Sequence, residues 1–192
     1  MIVPNALRLL ILSLCLSTAL FGPETRAEEP KLAPAVVDFL QQQQQPLPFV
    51  VSFEQQRTIQ GLPRPLLSSG RLTIAADEVI WHTQQPLEEK LVINATGIHS
   101  NEQSKLRGSE VIAKLLLAVL QGDASAIGDN FTTKLQGTCL ILTPKLQQLQ
   151  QFVASIESCG VTAIETIRLV EQQGNQSMII FQPEAEVGVE AQ

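Results

Sequence analysis

The cysteine and histidine side chains that could do nucleophilic or metal chemistry in this chain are Cys15, Cys139, Cys159, His82 and His99. None of the cysteines stands at C-x-x-C spacing, and two histidines give no metal-ligand pattern. No G-x-S-x-G nucleophile elbow is present. His82 and His99 lie in alternating strand sequence, where histidines serve more often as exposed or hydrogen-bonded strand residues than as general bases. The sequence therefore names no catalytic residue, no metal site and no cofactor, and a hydrolase is the weakest functional reading. What a pair of cysteines can still do is cross-link, and that depends on the compartment.

The compartment is read from residues 1–27. Arg8 precedes an apolar run that starts at Leu9 and continues to Phe21, followed by Thr25-Arg26-Ala27. A basic start, a short apolar centre and a small residue at the cut describe a secretory signal peptide, too short between its flanks to span a membrane. Cys15 follows Leu14, which is too large for the residue a lipoprotein peptidase needs ahead of its cysteine, so soluble release is expected.

Without the leader, 165 residues remain, enough for one domain with a real core. The leader carries Arg8, Arg26 and Glu24, which leaves 11 basic against 18 acidic residues, a charge of −7. Such a balance argues against a nucleic-acid partner and against a lasting hold on anionic lipid headgroups. In an oxidising compartment the two remaining cysteines, Cys139 and Cys159, are expected to be joined.

The elements that must position these residues follow from periodicity. Lys31–Gln45 reads as a helix with Pro34 in its first turn and Val36, Phe39 and Leu40 on one side, its glutamine run extending into solvent. Beyond Pro48 the period becomes two. Phe49, Val51 and Phe53 share one face of a strand, and a Pro/Gly/Ser-rich connection runs from Gly61 to Gly70. Leu72 and Ile74 are even and Val79 and Trp81 odd, a phase change that predicts a tight turn over residues 75–78. A further strand, Leu91-Val92-Ile93, turns at Asn94-Ala95-Thr96-Gly97 into Ile98; those four residues explain themselves as a turn as readily as by glycosylation.

Helical spacing returns at Val111, Ile112, Leu115, Leu116, Val119 and Leu120, with Ser109 placed to cap the start and Gly122 just past the end. A shorter helical turn is read at Ala124–Ile127. Strands are then expected at Leu135–Thr143, Phe152–Glu157, Val161–Glu171 and Ser177–Gln182, the last two joined at Gln173-Gly174-Asn175. The 145–157 stretch also fits a helix through Leu146, Leu149, Val153 and Ile156. Residues 184–192 form an acidic tail. If the 135–143 and 152–157 strands pair antiparallel, facing residues sum to about 298, which sets Cys139 opposite Cys159. A structural disulfide is expected there.

The expected fold is thus α+β, a curved antiparallel meander, an unclosed barrel over residues 28–183, with helices as the covers for its apolar face. Such a cup can close as an ordinary core or stay open as a ligand cavity.

The stretches Phe49-Val50-Val51-Ser52-Phe53-Glu54-Gln55, Gly70-Arg71-Leu72-Thr73-Ile74 and Val79-Ile80-Trp81-His82-Thr83-Gln84-Gln85-Pro86, with Leu91–Gly97 after them, resemble the periplasmic outer-membrane lipoprotein carriers, the LolA-like family. Leu142-Thr143-Pro144-Lys145 and the run Glu171–Phe181 look like that family's closing strands. The resemblance implies a helix-lidded half-barrel that holds acyl chains, taken from an inner-membrane donor complex and given to an outer-membrane acceptor, by a protein acting as a monomer. It also implies the cavity wall: Phe49, Val51, Phe53, Leu72, Ile74, Trp81, Leu91 and Ile93 from the sheet, and Leu115, Leu116 and Val119 from the lid. Two departures stand out. Where the family's Leu-rich strand ends in an Arg-Pro pair that ties sheet to lid, this chain has Ala75-Ala76-Asp77, and aromatic residues are few, with one Trp and no Tyr. The likeness is then to LolA-like proteins of specialised lipid export, including polyene lipids. A lipid- or envelope-signal sensor on the same scaffold is the alternative, distinguished by a stable protein complex without lipid transfer.

Overall fold

Alternating apolar and polar residues dominate the chain, and the computed structural model, which describes residues 32–100 and 110–183, accordingly places ten strands in one sheet. The expected leader, the helix cap Ser109 and the acidic tail lie outside the described residues. Helix α1 (Pro34–Gln43) opens with Pro34, whose missing N–H costs nothing in the first turn, and buries Val36, Phe39 and Leu40. Strands β1 (Phe49–Thr58), β2 (Leu66–Ile74), β3 (Glu78–Gln85), β4 (Glu89–Asn94) and β5 (Gly97–Ser100) follow as hairpins. Helices α2 (Glu110–Gln121) and α3 (Ala124–Asn130) come next, α3 capped by the Asp123 carboxylate, which accepts from the Ala126 N–H. Then come β6 (Phe131–Gln136), β7 (Cys139–Pro144), the single turn α4 (Gln147–Gln150), β8 (Val153–Cys159), β9 (Thr166–Glu171) and β10 (Gln176–Pro183).

Every pairing is antiparallel, in the order β5-β4-β3-β2-β1-β10-β9-β8-β7-β6. The chain is therefore two five-strand meanders stitched through its first and last strands, where Phe53 faces Phe181 and Val51 faces Pro183. β5 and β6 end the sheet, so the barrel is unclosed. One face is mainly apolar: Leu72, Ile74, Val79 and Ile93 in the first half, Leu140, Leu142, Ile167 and Ile179 in the second, all buried, with Ser158 and Ser177 buried among them. The helices cover that face from both edges. α2 packs on β4 and β5, while α1 and α3 pack on β6.

Four expectations need correction. The glutamine run is exposed at Gln41, Gln42, Gln44 and Gln45 as expected, but Gln43 is buried and donates to the Gly160 carbonyl at 2.8 Å, and Gln45 donates to the Thr162 carbonyl at 2.8 Å. The carboxamides satisfy loop carbonyls that would otherwise lose water. β2 begins at Leu66, inside the expected connection, because its ladder with β1 continues to Arg57 opposite Leu66. Leu135–Thr143 is a hairpin, not one strand; Gly137 takes φ 60° in the turn, and the inward residues pass from Phe131 and Leu135 to Leu140 and Leu142. The parity of the inward residues switches here, as it does in the other direction at the β2–β3 turn. Finally, β9 starts at Thr166, since Gly160, at φ 151°, leads into a loop over 161–165.

Elsewhere the local chemistry acts as its residue types require. Asn94 accepts from the Thr96 N–H at 2.9 Å, closing the β4–β5 turn. Gly122 takes φ 66° just past α2, where a helix ends most easily on glycine.

Candidate functional site

A cavity of about 400 Å³ lies between the helices and the inner face of the sheet. Its walls are built by strand alternation, which turns every second residue inward. β1 and β2 supply Phe49, Val51 and Ile74; β7 and β10 supply Leu140, Leu142 and Phe181. From above, Leu40 of α1, Val119 and Leu120 of α2 and Ile127 of α3 close over it, and Ala163 and Ile164 of the 161–165 loop complete one side. The polar groups in the wall are uncharged: the carboxamides of Gln43, Gln44, Gln45 and Gln121 and the hydroxyl of Ser158. The volume falls within the range of small-molecule pockets.

Of the expected cavity residues, the structure gathers Phe49, Val51, Ile74 and Val119 around this space. Phe53, Leu72 and Ile93 are instead packed solid, at 1%, 0% and 2% exposure. Trp81 tilts against Phe53 with ring centroids 5.0 Å apart, a favourable edge-on contact. Leu91 faces Trp81 across the β3–β4 ladder and is half-buried; on α2, Leu115 is buried and Leu116 half-buried. None of these seven borders the cavity among its lining residues. The first half of the sheet thus serves mainly as a packed wall, and the space opens toward β7 and β10. Leu140, Leu142 and Phe181 show the same alternation in the sequence as Phe49 and Val51, so a signal for them existed. For the glutamines it did not, because a polar helix end reads as solvated.

Two of the ties that hold the lid stand beside the cavity. Gln121, the last residue of α2, donates through Nε2 to the carbonyls of Ala75 at 2.6 Å and Ala76 at 3.2 Å. The turn that lacks the family's Arg-Pro pair is therefore held from the opposite direction, by a side chain of the lid reaching to backbone of the sheet. The other tie is the pair of bonds from Gln43 and Gln45 to the 160–162 backbone.

That loop is itself anchored. Cys139 and Cys159 are bonded directly across the β7–β8 ladder, as the expected register requires. The Gly160 N–H donates to the Thr138 carbonyl at 3.0 Å, and the Glu165 N–H to the Cys159 carbonyl at 2.8 Å. Glu157 lies beside the sulfurs, but both are used in the bond and are not available as thiolate ligands. The histidines stand away from the cavity: His82 Nε2 lies 3.0 Å from the Glu88 carboxylate and His99 Nε2 lies 3.0 Å from the Thr96 hydroxyl.

An open antiparallel half-barrel with a helical cover over an apolar cavity is the architecture of a lipid- or lipoprotein-binding, carrier-like fold. The sequence profile of the outer membrane lipoprotein carrier protein LolA matches residues 47–187, and the chain belongs to that family. Among solved structures it is similar to a LolA superfamily protein from Nitrosomonas europaea, at 8% identity and a TM-score of 0.48 over 77% of this chain and 90% of that one. A DUF1329 family protein from Desulfovibrio piger is similar at 13% identity and a TM-score of 0.31, over 81% of this chain and 93% of that one. No curated protein matches the chain.

Proposed function

We propose that this protein is a periplasmic carrier that shields the acyl chains of a lipoprotein, or of a specialised lipid such as a polyene lipid, on the way from the inner to the outer membrane. The observation that carries the reading is the apolar cavity of about 400 Å³ left between lid and sheet in a member of the lipoprotein carrier family. A long acyl chain exposed to water costs on the order of 10 kcal/mol at about 0.8 kcal/mol per methylene, so passage between membranes needs such a shelter. Release needs the reverse. Contacts that are apolar and non-directional, under a cover fastened by a few hydrogen bonds, hold a chain without committing to it. The residues proposed to touch it are Phe49, Val51, Ile74 and Val119, joined by Leu140, Leu142 and Phe181; Phe53, Leu72, Trp81, Leu91, Ile93, Leu115 and Leu116 are proposed to support them from behind.

Export through a cleaved leader of residues 1–27, action as a monomer, and exchange with an inner-membrane donor and an outer-membrane acceptor complete the proposal. No helix among the described residues is long and apolar enough to cross a membrane. Organic extraction of protein purified from the periplasm, followed by lipid mass spectrometry, tests it. An acyl lipid or lipopeptide in stoichiometric amount is expected; protein free of lipid that also fails to move acyl probes between vesicles would overturn it.

A further inference from the structure

The cavity has a capacity, and hydrocarbon can be measured against it. A methylene group takes up nearly the room of a water molecule, about 30 Å³ in the liquid. Filled at the density of a protein interior, a space of about 400 Å³ holds roughly 13 carbons, which is one acyl chain. By the same measure two chains of palmitoyl length need about 960 Å³ and three need about 1,400 Å³. The space beside the cavity is already taken. Toward the first strands, Phe53, Leu72 and Ile93 are packed solid, and Trp81 rests on Phe53. Toward the later strands, Ile156 and Ile167 are buried next to Leu142 and Ser158. The cover is fastened on both flanks of the space, by Gln121 to the Ala75 and Ala76 carbonyls and by Gln43 and Gln45 to the Gly160 and Thr162 carbonyls. Room for further chains therefore requires both sets of bonds to break and core side chains to be uncovered. The open direction is the mouth, where Gln44, Gln45, Leu47 and Val50 are exposed.

We propose that the cavity takes a single unbranched hydrocarbon chain of about 12 to 14 carbons, laid along Val51, Leu140, Leu142 and Phe181, with its polar head left in water at Gln44, Gln45 and Leu47. The inference rests on the carrier function proposed above and narrows the cargo to monoacyl lipids. Carbons beyond the capacity stay outside and add nothing to affinity. One chain of a multi-chain lipoprotein anchor offers the same chemistry, but its other chains find no shelter and remain in water.

Displacement of N-phenyl-1-naphthylamine from the purified, delipidated protein tests the limit, with 1-acyl-glycerophosphocholines of eight to sixteen carbons, each below its micelle concentration. Affinity is expected to climb about fourfold for each methylene up to about 13 carbons and then to level off. Native mass spectrometry with the dodecanoyl compound is expected to count one lipid per protein. Val51→Trp fills part of the wall's space and is expected to move the break to chains about three carbons shorter. A synthetic N-palmitoylated diacylglyceryl-cysteine peptide, which represents the lipoprotein source, is expected to compete less well than the tetradecanoyl compound. A climb that continues unbroken to sixteen carbons, two lipids counted per protein, a break that Val51→Trp leaves in place, or tighter binding of the peptide would overturn the single-chain limit and leave the carrier function standing. Displacement by none of these ligands would overturn both.

Discussion

At the residue scale, two side-chain decisions determine whether the cup holds its shape. Gly70 is buried, faces Phe53 across the β1–β2 ladder and sits at the bulge where β2 slips against β3. A Cβ there would overlap the His82 carbonyl oxygen and lie 2.9 Å from Thr83 Cα, and backbone on both sides cannot step aside cheaply. Gly70→Ala is expected to lower stability by about 2–3 kcal/mol in urea unfolding, the range for overpacking a closed site. An unchanged midpoint would show that β2 and β3 move apart at little cost. Gln121 acts differently. Its bonds to Ala75 and Ala76 tie the end of the lid, so Gln121→Leu is expected to cost only about 1 kcal/mol overall while speeding probe release and amide exchange in α2. Equal release rates in both proteins would remove Gln121 from the latch.

Among elements, the second half of the sheet carries the fastening. The Cys139–Cys159 bond holds β7 to β8 at the root of the loop that receives Gln43 and Gln45, so the covalent link and the α1 tie are in series. The bonded residues are 20 apart, and closing a loop of that size is worth about 3 kcal/mol. The paired substitution Cys139→Ala with Cys159→Ala is expected to cost about that much and to raise exchange in the last turn of α1 as well as in β7 and β8. Exchange confined to β7 and β8 would mean that α1 is held by its own packing alone. The elements also show what the sequence could and could not reveal. Helix α2 was legible because Leu115, Val119 and Leu120 repeat at helical spacing, and the disulfide register because antiparallel pairing fixes a constant sum. The β6–β7 hairpin was hidden by a turn of only two residues, Gly137 and Thr138, inside otherwise continuous alternation. The docking of Gln43 and Gln45 was illegible for another reason: it depends on carbonyls of residues 160 and 162, which no local pattern connects to residue 43 or 45.

For the whole molecule, alternation establishes which residues point inward but not whether inward means packed or vacant. Phe53 and Val51 are two apart on one face of β1, yet Phe53 is 1% exposed and pressed against Trp81, whereas Val51 borders the cavity. The difference arises from long-range pairing. Phe53 faces Gly70 and Phe181, deep in the sheet, while Val51, nearer the strand's start, lies under the open side of the lid with Pro183 across from it. Substitutions at the two positions should separate folding from binding. Phe53→Ala empties a filled site and is expected to cost about 3–5 kcal/mol in urea unfolding. Val51→Trp puts bulk into existing space, so thermal unfolding is expected to shift by no more than about 4 °C. Acyl-probe affinity, by contrast, should fall at least about tenfold as the occupant's volume is lost. A tryptophan that unfolds the protein as severely as the core truncation would show the space beside Val51 to be closed, and a tryptophan that leaves probe affinity unchanged would place the acyl chain elsewhere in the barrel.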